Sequence, residues 1–244
     1  DDAIVAIARA SSGDGRRALA ILDRIAASMG DGTNTDLETV TQLLGRPDLL
    51  HDKDGDTHYD IASALIKSLR GSDPNAALYW AARLLEGGED PMFVARRLVI
   101  FASEDIGNAD PRALTLAVST MQGIHLIGMP EARILLGQAV TYLATAPKSN
   151  AVYLAIDAAI DCAKKYGPLP VPQPLRNTAS SVAREQGHGE GYLYPHDYPD
   201  HIVDQEYLPD GLPGAHFYNP TDHGGERVIR ERMAWWKDRL QKRN

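Results

Sequence analysis

The sequence predicts an all-α protein, and three observations carry that prediction. Pro74, Pro91, Pro111, Pro130 and Pro147 recur at intervals of 17 to 20 residues. The residues between them place apolar side chains at helical spacing, and no strand-like alternation of comparable length is present. With 43% apolar residues in 244, the chain is long enough to close a full hydrophobic core around such helices.

At the N-terminal end Ile4, Ile7 and Ala8, and then Ala18, Leu22, Ile25 and Met29, trace two helical faces. Ser11-Ser12-Gly13-Asp14-Gly15 breaks the run, so the chain opens as helix, tight turn, helix. After a loop at Asp31 to Asn34, Thr35 or Asp36 caps a third helix through Leu44, which Gly45-Arg46-Pro47 stops. Residues 1–50 thus form a small three-helix unit, and residues 51–244 a larger helical one. The joining stretch, His51-Asp52-Lys53-Asp54-Gly55-Asp56, has the composition of a calcium loop but not its spacing. Its glycine stands fourth rather than sixth, and no glutamate follows at position twelve.

A helical run from Tyr59 to Leu69 leads into the proline cadence. Asp73, Asp90 and Asp110 each precede a proline, the order of a capping carboxylate followed by a first-turn residue whose missing N–H costs nothing. Each proline is therefore expected to open a helix. The core stripes read Leu78, Ala82 and Leu85; Val94, Leu98 and Phe101; Leu114, Val118 and Met121; Leu135, Ala139 and Leu143; Val152, Ile156 and Ile160. Five helices with such short connections pack as antiparallel neighbours. A helix pair repeating every 36 or 37 residues also fits a helical-repeat solenoid, although no residue signature beyond the proline repeats.

Beyond Gly167 nine of the fifteen prolines and six of the sixteen aromatic residues fall within about fifty residues. A solvated linker is poor in aromatics. Tyr192, Tyr194, Tyr198, Tyr207, Phe217 and Tyr218 are therefore expected to pin a long irregular segment onto the helical body. A short helix from Thr178 to Gln186, stopped by Gly187, interrupts it. A final helix from Glu226 to Lys242 presents Ile229, Met233, Trp236 and Leu240 as one stripe, with Trp236 in the core and Trp235 at its edge.

Charge narrows the function classes. The formal net charge is −8, so phosphate binding cannot be a property of the whole surface. Residues 185–226 carry nine carboxylates and no Lys or Arg, whereas residues 227–244 carry seven basic and two acidic side chains. The basic end pairs either with the acidic segment or with an external anion. Arg227, Arg230, Lys237 and Arg239, with Arg232, Lys242 and Arg243, form the one concentrated basic patch and the candidate DNA contact. A single cysteine and the lack of an 18-residue apolar stretch point to a reducing cytoplasmic setting without a membrane span. The chain begins at Asp1, already in a helical pattern, and is expected to start partway through a longer protein.

Catalytic motifs are missing. Lys67-Ser68 and Lys148-Ser149 follow Ile66 and Pro147, so neither belongs to a phosphate-cradling loop. Gly187-His188-Gly189-Glu190-Gly191 lacks the strand and helix that a dinucleotide turn requires. One cysteine excludes a thiolate zinc cage, and His188, His196, His201, His216 and His223 match no ligand spacing. No catalytic residue and no metal ligand is assigned.

Three stretches resemble a known family. Gly13-Asp14-Gly15-Arg16-Arg17-Ala18-Leu19 is similar to the sensor-2 element in the lid of clamp-loader-type AAA+ ATPases. The second stretch is Asp56-Thr57-His58-Tyr59-Asp60, continuing through Lys67-Ser68-Leu69-Arg70-Gly71-Ser72-Asp73-Pro74 to Ala76-Ala77-Leu78-Tyr79-Trp80. The third comprises Ala95-Arg96-Arg97-Leu98, Ala102-Ser103-Glu104-Asp105-Ile106-Gly107-Asn108-Ala109-Asp110-Pro111, Ala146-Pro147-Lys148-Ser149-Asn150, Leu175-Arg176-Asn177 and Asp204-Gln205-Glu206-Tyr207-Leu208-Pro209. In this order they resemble the C-terminal half of the replication-associated recombination protein A family (RarA, also MgsA), which includes the Werner helicase-interacting proteins.

The resemblance implies an AAA+ lid followed by a helical domain that assembles four chains. It also implies ATP and magnesium in an ATPase core outside this chain, and action at stalled replication forks. Single-strand-binding protein and DNA ends or fork junctions are the implied partners. Arg16 takes the sensor-2 position, with Arg17 as second choice. No cofactor is expected on this chain alone.

The residues themselves also allow plainer readings. Arg97 and Glu104, seven apart on one helix, share a face suited to a structural or interface charge pair. Adjacent Glu104 and Asp105 point about 100° apart and do not converge on one substrate atom. Lys148-Ser149-Asn150 fits helix capping and anion binding equally. The alternatives to an ATPase lid and assembly module are a free-standing helical-repeat scaffold that binds a peptide, and a metal hydrolase built on the tail histidines.

Overall fold

A computed structural model describes residues 2–11, 15–28, 40, 56–212 and 214–242. Among them all regular structure is helical. Helices α1 (Asp2–Ala10) and α2 (Gly15–Ser28) pack through Ala3, Ile7, Ile21 and Ile25, and Val40 completes this small core. Val40 is itself helical. The rest of the predicted third helix, Gly13-Asp14, the linker 51–55 and the boundary near residue 50 lie outside the described residues.

The larger core belongs to α3 (Asp56–Arg70), α4 (Pro74–Glu86), α5 (Pro91–Phe101), α6 (Arg112–Ile127) and α7 (Ala132–Thr145). Leu65, Leu69, Leu84, Leu98, Phe101, Leu136 and Leu143 fill it. Helix α7 is central and touches α3, α4, α5 and α6. That arrangement is a bundle; in a solenoid each unit meets only its neighbours.

The expected aspartate caps form where proline opens the helix. Asp73 accepts from the N–H groups of Asn75 and Ala76 at 3.0 and 2.9 Å, and Asp90 from that of Met92 at 2.9 Å. The other prolines stand further upstream: α6 starts one residue after Pro111, α7 two residues after Pro130, and α8 (Ala151–Tyr166) four residues after Pro147. Two core stripes are rotated by one residue from the expected ones. Helix α4 buries Ala77, Ala81 and Leu84, and α6 buries Ala113, Ala117, Thr120 and Ile124. Alanines let these helices approach closely, and Leu78 and Leu114 are left at the surface.

After Phe101 the chain makes a widened π-type turn, Ala102–Ile106, and a 3-10 turn, Gly107–Ala109. Gly107 has φ +50°, and a Cβ there would meet the Ser149 carbonyl at 3.4 Å and Val152 at 3.7 Å. This turn ends the face that was expected to carry Arg97 and Glu104 together.

Beyond Tyr166 the chain is irregular, with 3-10 turns at Gln173–Leu175, Pro195–Asp197 and Pro199–His201 and a five-residue helix, α9 (Ser181–Glu185), shorter than predicted. Phe217 and Tyr218 are half-buried, but Tyr192, Tyr194, Tyr198 and Tyr207 are exposed, so the rings pin only the end of this segment. Helix α10 (Glu226–Gln241) closes the described chain. Trp236 is 40% exposed rather than in the core, because α10 is held mainly at its N-terminal end.

Candidate functional site

Two stretches that stood out in the sequence, the turn 102–111 after α5 and the loop 146–150 before α8, meet a third that did not, residues 218–226 leading into α10. Glu226 lies at the centre and is fully buried. Its carboxylate accepts hydrogen bonds from Ser149 Oγ (2.6 Å), Tyr218 OH (3.0 Å), Thr221 N (2.8 Å) and Thr221 Oγ1 (2.7 Å). Burial pushes such a carboxyl up, but donors from Ser149, Thr221 and Tyr218 outweigh it and hold Glu226 below the usual carboxylate range. Asn108 Nδ2 donates to Tyr218 OH at 3.2 Å, which ties the turn after α5 into the network.

The approach is close because Gly224 and Gly225 precede the glutamate. Gly225 N–H donates to Ala109 O at 2.7 Å. A Cβ on Gly224 would collide with that carbonyl and stand 2.8 Å from Pro147 Cγ. Ser149 then serves both projecting helices: its hydroxyl donates to Glu226, and its oxygen accepts from the Ala151 N–H of α8 at 3.2 Å.

Lys148 turns the other way and caps the helix before it. Its Nζ donates to the Ala144 and Ala146 carbonyls at 2.8 and 2.7 Å and reaches Ser72 Oγ at 3.3 Å, while burial lowers its pKa against the opposing pull of Asp105. Buried Asp105 is held by Arg70, whose Nη2 donates to Oδ2 at 3.1 Å; the same nitrogen reaches Glu104 at 3.4 Å. Asp110, also buried, accepts from Arg112 Nε (2.8 Å) and Nη2 (3.1 Å) and from Tyr142 OH (2.6 Å). The hydrogen bond from Arg112 leads the causes that hold Asp110 below the ordinary range. These carboxylates are saturated with internal donors, so the junction is built to position helices rather than to transfer protons.

What it positions is exposed. Of the sixteen residues of α8 only Ala151 is buried. Tyr153, Leu154, Ile156, Ile160 and Tyr166 face outward, with Ile156 54% and Ile160 43% exposed. The stripe read as core from the sequence is amphipathic, but its apolar part has no cover within the described residues.

The basic patch is partly neutralised from within. On α10, Arg230 pairs with Asp222 and Arg239 lies 3.9 Å from Asp200, both carboxylates of the acidic segment, and Arg239 also stacks on Trp235 at 5.3 Å. Arg227 faces Glu231 at 4.0 Å and Lys242 meets Asp238 at 2.7 Å within the helix. Lys237 is exposed. Arg16 and Arg17 fall in the first turn of α2, with side chains outside the described ones. Of the tail histidines, His196 and His201 come together, ring centroids 5.0 Å apart. The sequence missed the role of Glu226; the Gly224-Gly225 pair ahead of a helix-opening carboxylate was the available signal of close approach.

A family model described as MgsA AAA+ ATPase C terminal matches residues 71–237, and one described as AAA C-terminal domain matches residues 1–70. An uncharacterized AAA domain-containing protein of Mycobacterium tuberculosis is 46% identical over 98% of this chain and 52% of its own length. Replication-associated recombination protein A of Escherichia coli K12 is 41% identical over 99% of this chain and 55% of its own. An ATPase of Dictyostelium discoideum, WRNIP1, is 37% identical over 89% of this chain and 27% of its own. The chain thus spans about half the length, or less, of these relatives. No helix among the described residues is long and apolar enough to cross a membrane.

Proposed function

Because the chain belongs to the replication-associated recombination protein A (MgsA) family, matching its C-terminal half, we propose that it is the lid and assembly module of an AAA+ ATPase that acts at replication forks in the cytoplasm. In this reading the chain holds no catalytic centre of its own. ATP and magnesium are bound by an ATPase core elsewhere in the full protein, and residues 1–50 offer Arg16, or less favourably Arg17, to that nucleotide. Residues 51–244 join the subunits into a homotetramer.

The observation that carries the assembly role is α8. A helix that buries one residue of sixteen while exposing Ile156 and Ile160 presents apolar surface to water, and exposed apolar surface of this kind marks an interface. We assign its occupant as a second copy of the chain. The junction at Glu226 and Ser149 supports the assignment, because it fixes the base of α8 and leaves its outer face open. DNA ends or fork junctions are assigned to the outward side of α10. There Lys237, with Arg227, Arg230 and Arg239, is reached most readily by a polyanion able to compete with Asp222 and Asp200. Single-strand-binding protein is the expected protein partner of the full ATPase.

Light scattering on the purified chain tests the assembly role. The chain is expected to run as a tetramer at tens of micromolar, and Ile156→Glu with Ile160→Glu is expected to yield monomer with unchanged helix content. A parent chain that stays monomeric at that concentration, or a double variant that stays tetrameric, would remove the assignment of α8.

A further inference from the structure

The stretch Leu175-Arg176-Asn177, singled out in the sequence, has no part in the junction or in the two exposed helices. It lines a surface groove of about 690 Å³ with Val171, Ala179, Ser180, Ala183 and His188. That size lies in the range of ordinary ligand clefts. Its walls are fixed by internal bonds. Gln173 Nε2 donates to Gln186 O at 3.0 Å, Gly189 N–H to Gln173 O at 3.0 Å, and His188 N–H to Ala183 O at 3.0 Å. Gly187 and Gly189 make this loop possible at φ +75° and +79°, and a Cβ on Gly189 would run into Thr178.

The polar groups in the groove are partly spoken for. Asn177 Oδ1 accepts from Ala179 N–H at 2.9 Å, Ser180 Oγ accepts from Ala183 N–H at 3.1 Å, and His188 Nδ1 lies 3.3 Å from Asn177 O. Half-buried Arg176 uses only Nε, which donates to Val171 O at 2.9 Å. That bond aims the guanidinium and leaves its two Nη groups without a hydrogen-bond partner among the described residues. A planar pair of N–H donors beside Val171, Leu175 and Ala183 is complementary to a carboxylate that carries an apolar group close by.

We infer that this groove receives the C-terminus of a polypeptide whose last residue is apolar. At a chain terminus the carboxylate and the side chain hang from one Cα, so a single residue can meet both Arg176 and the apolar wall. A carboxylate within a chain would place its apolar neighbour further off. A nucleic-acid backbone is a poorer occupant, because the segment that follows, residues 185–226, carries nine carboxylates and no Lys or Arg. One carboxylate in the groove meets Arg176, whereas a polyanion would lie along that acidic run.

Fluorescence anisotropy with a short labelled peptide ending in leucine with a free carboxylate tests this on the full chain. Binding is expected, weakened about tenfold or more when the peptide's C-terminus is amidated and to a similar extent in Arg176→Gln. Arg176→Gln also removes the bond to Val171 O, so Ala179→Glu is the second variant: it places a like charge in the groove and keeps that bond. It too is expected to abolish binding while the circular dichroism spectrum is unchanged. Equal affinity for the amidated peptide, full binding by Ala179→Glu, or no binding of the carboxylate peptide up to millimolar concentration would each overturn the inference. So would a single-stranded oligonucleotide that binds through Arg176 when the peptide does not.

Discussion

Replacing Glu226 with alanine should detach the C-terminal helix from the body. The side chain is fully buried and accepts four hydrogen bonds, from Ser149 Oγ, Tyr218 OH and the Thr221 N–H and hydroxyl. Buried Ser149 loses its acceptor with no access to water, which costs about 1–3 kcal/mol. Tyr218 and Thr221 are only half-buried and recover part of their hydration, so each adds about 1 kcal/mol at most. A cavity of carboxylate size adds to this, and the total expected loss is about 3–5 kcal/mol. Glu226→Gln keeps one acceptor oxygen and the shape, and should cost about 1–2 kcal/mol. Urea unfolding of the chain and its variants reads both values. Limited proteolysis should show cleavage between residues 167 and 225 rising in Glu226→Ala, while the α3–α7 bundle stays protected. A loss below about 1 kcal/mol for the alanine variant would mean that the bundle holds α10 by other means, and the junction would lose its positioning role.

Two further outcomes follow from the same geometry. Gly224→Ala should be among the most damaging small substitutions in the chain, at about 2 kcal/mol or more, because φ is +50° and the added methyl meets backbone at Ala109; calorimetry on the variant checks it, and a melting temperature equal to the parent's would refute it. Glu226 and Asp110 both ionise more readily in the fold than in the unfolded chain. The stability they contribute is therefore complete above the unfolded carboxylate pKa near 4 and is lost as pH falls through the lower folded values. Urea midpoints should be flat from about pH 7 to 5 and drop below about pH 4, with a shallower drop in Glu226→Gln.

Among the described residues, helix type and order were legible because Asp-Pro pairs and apolar spacing are local signals, and α5 buries Val94, Leu98 and Phe101 as its pattern predicts. Which face of α4 and α6 turns inward was not legible. Reading by large side chains chose Leu78 and Leu114, whereas close helix contact favours the alanines one position earlier. The stripe on α8 was visible in the sequence, but whether a stripe faces its own chain or another is not a local property. The split charge of the last sixty residues left internal pairing and an external anion both open, and Arg230 with Asp222 and Arg239 with Asp200 realise the internal one. The junction was hidden because Ser149, Glu226 and Asn108 are far apart along the chain, and only the folded turns bring them together.

The dual use of Ser149 has a mechanical meaning. One hydroxyl is the pivot shared by two rods: α10 pulls on it through Glu226, and α8 rests on it through the Ala151 N–H. Helix α8 is 16 residues long, about 24 Å, so a tilt of about 5° at its base moves its far end about 2 Å. A small displacement of the last helix at Ser149 would thus reach the tip of α8, at Tyr166, as a larger one.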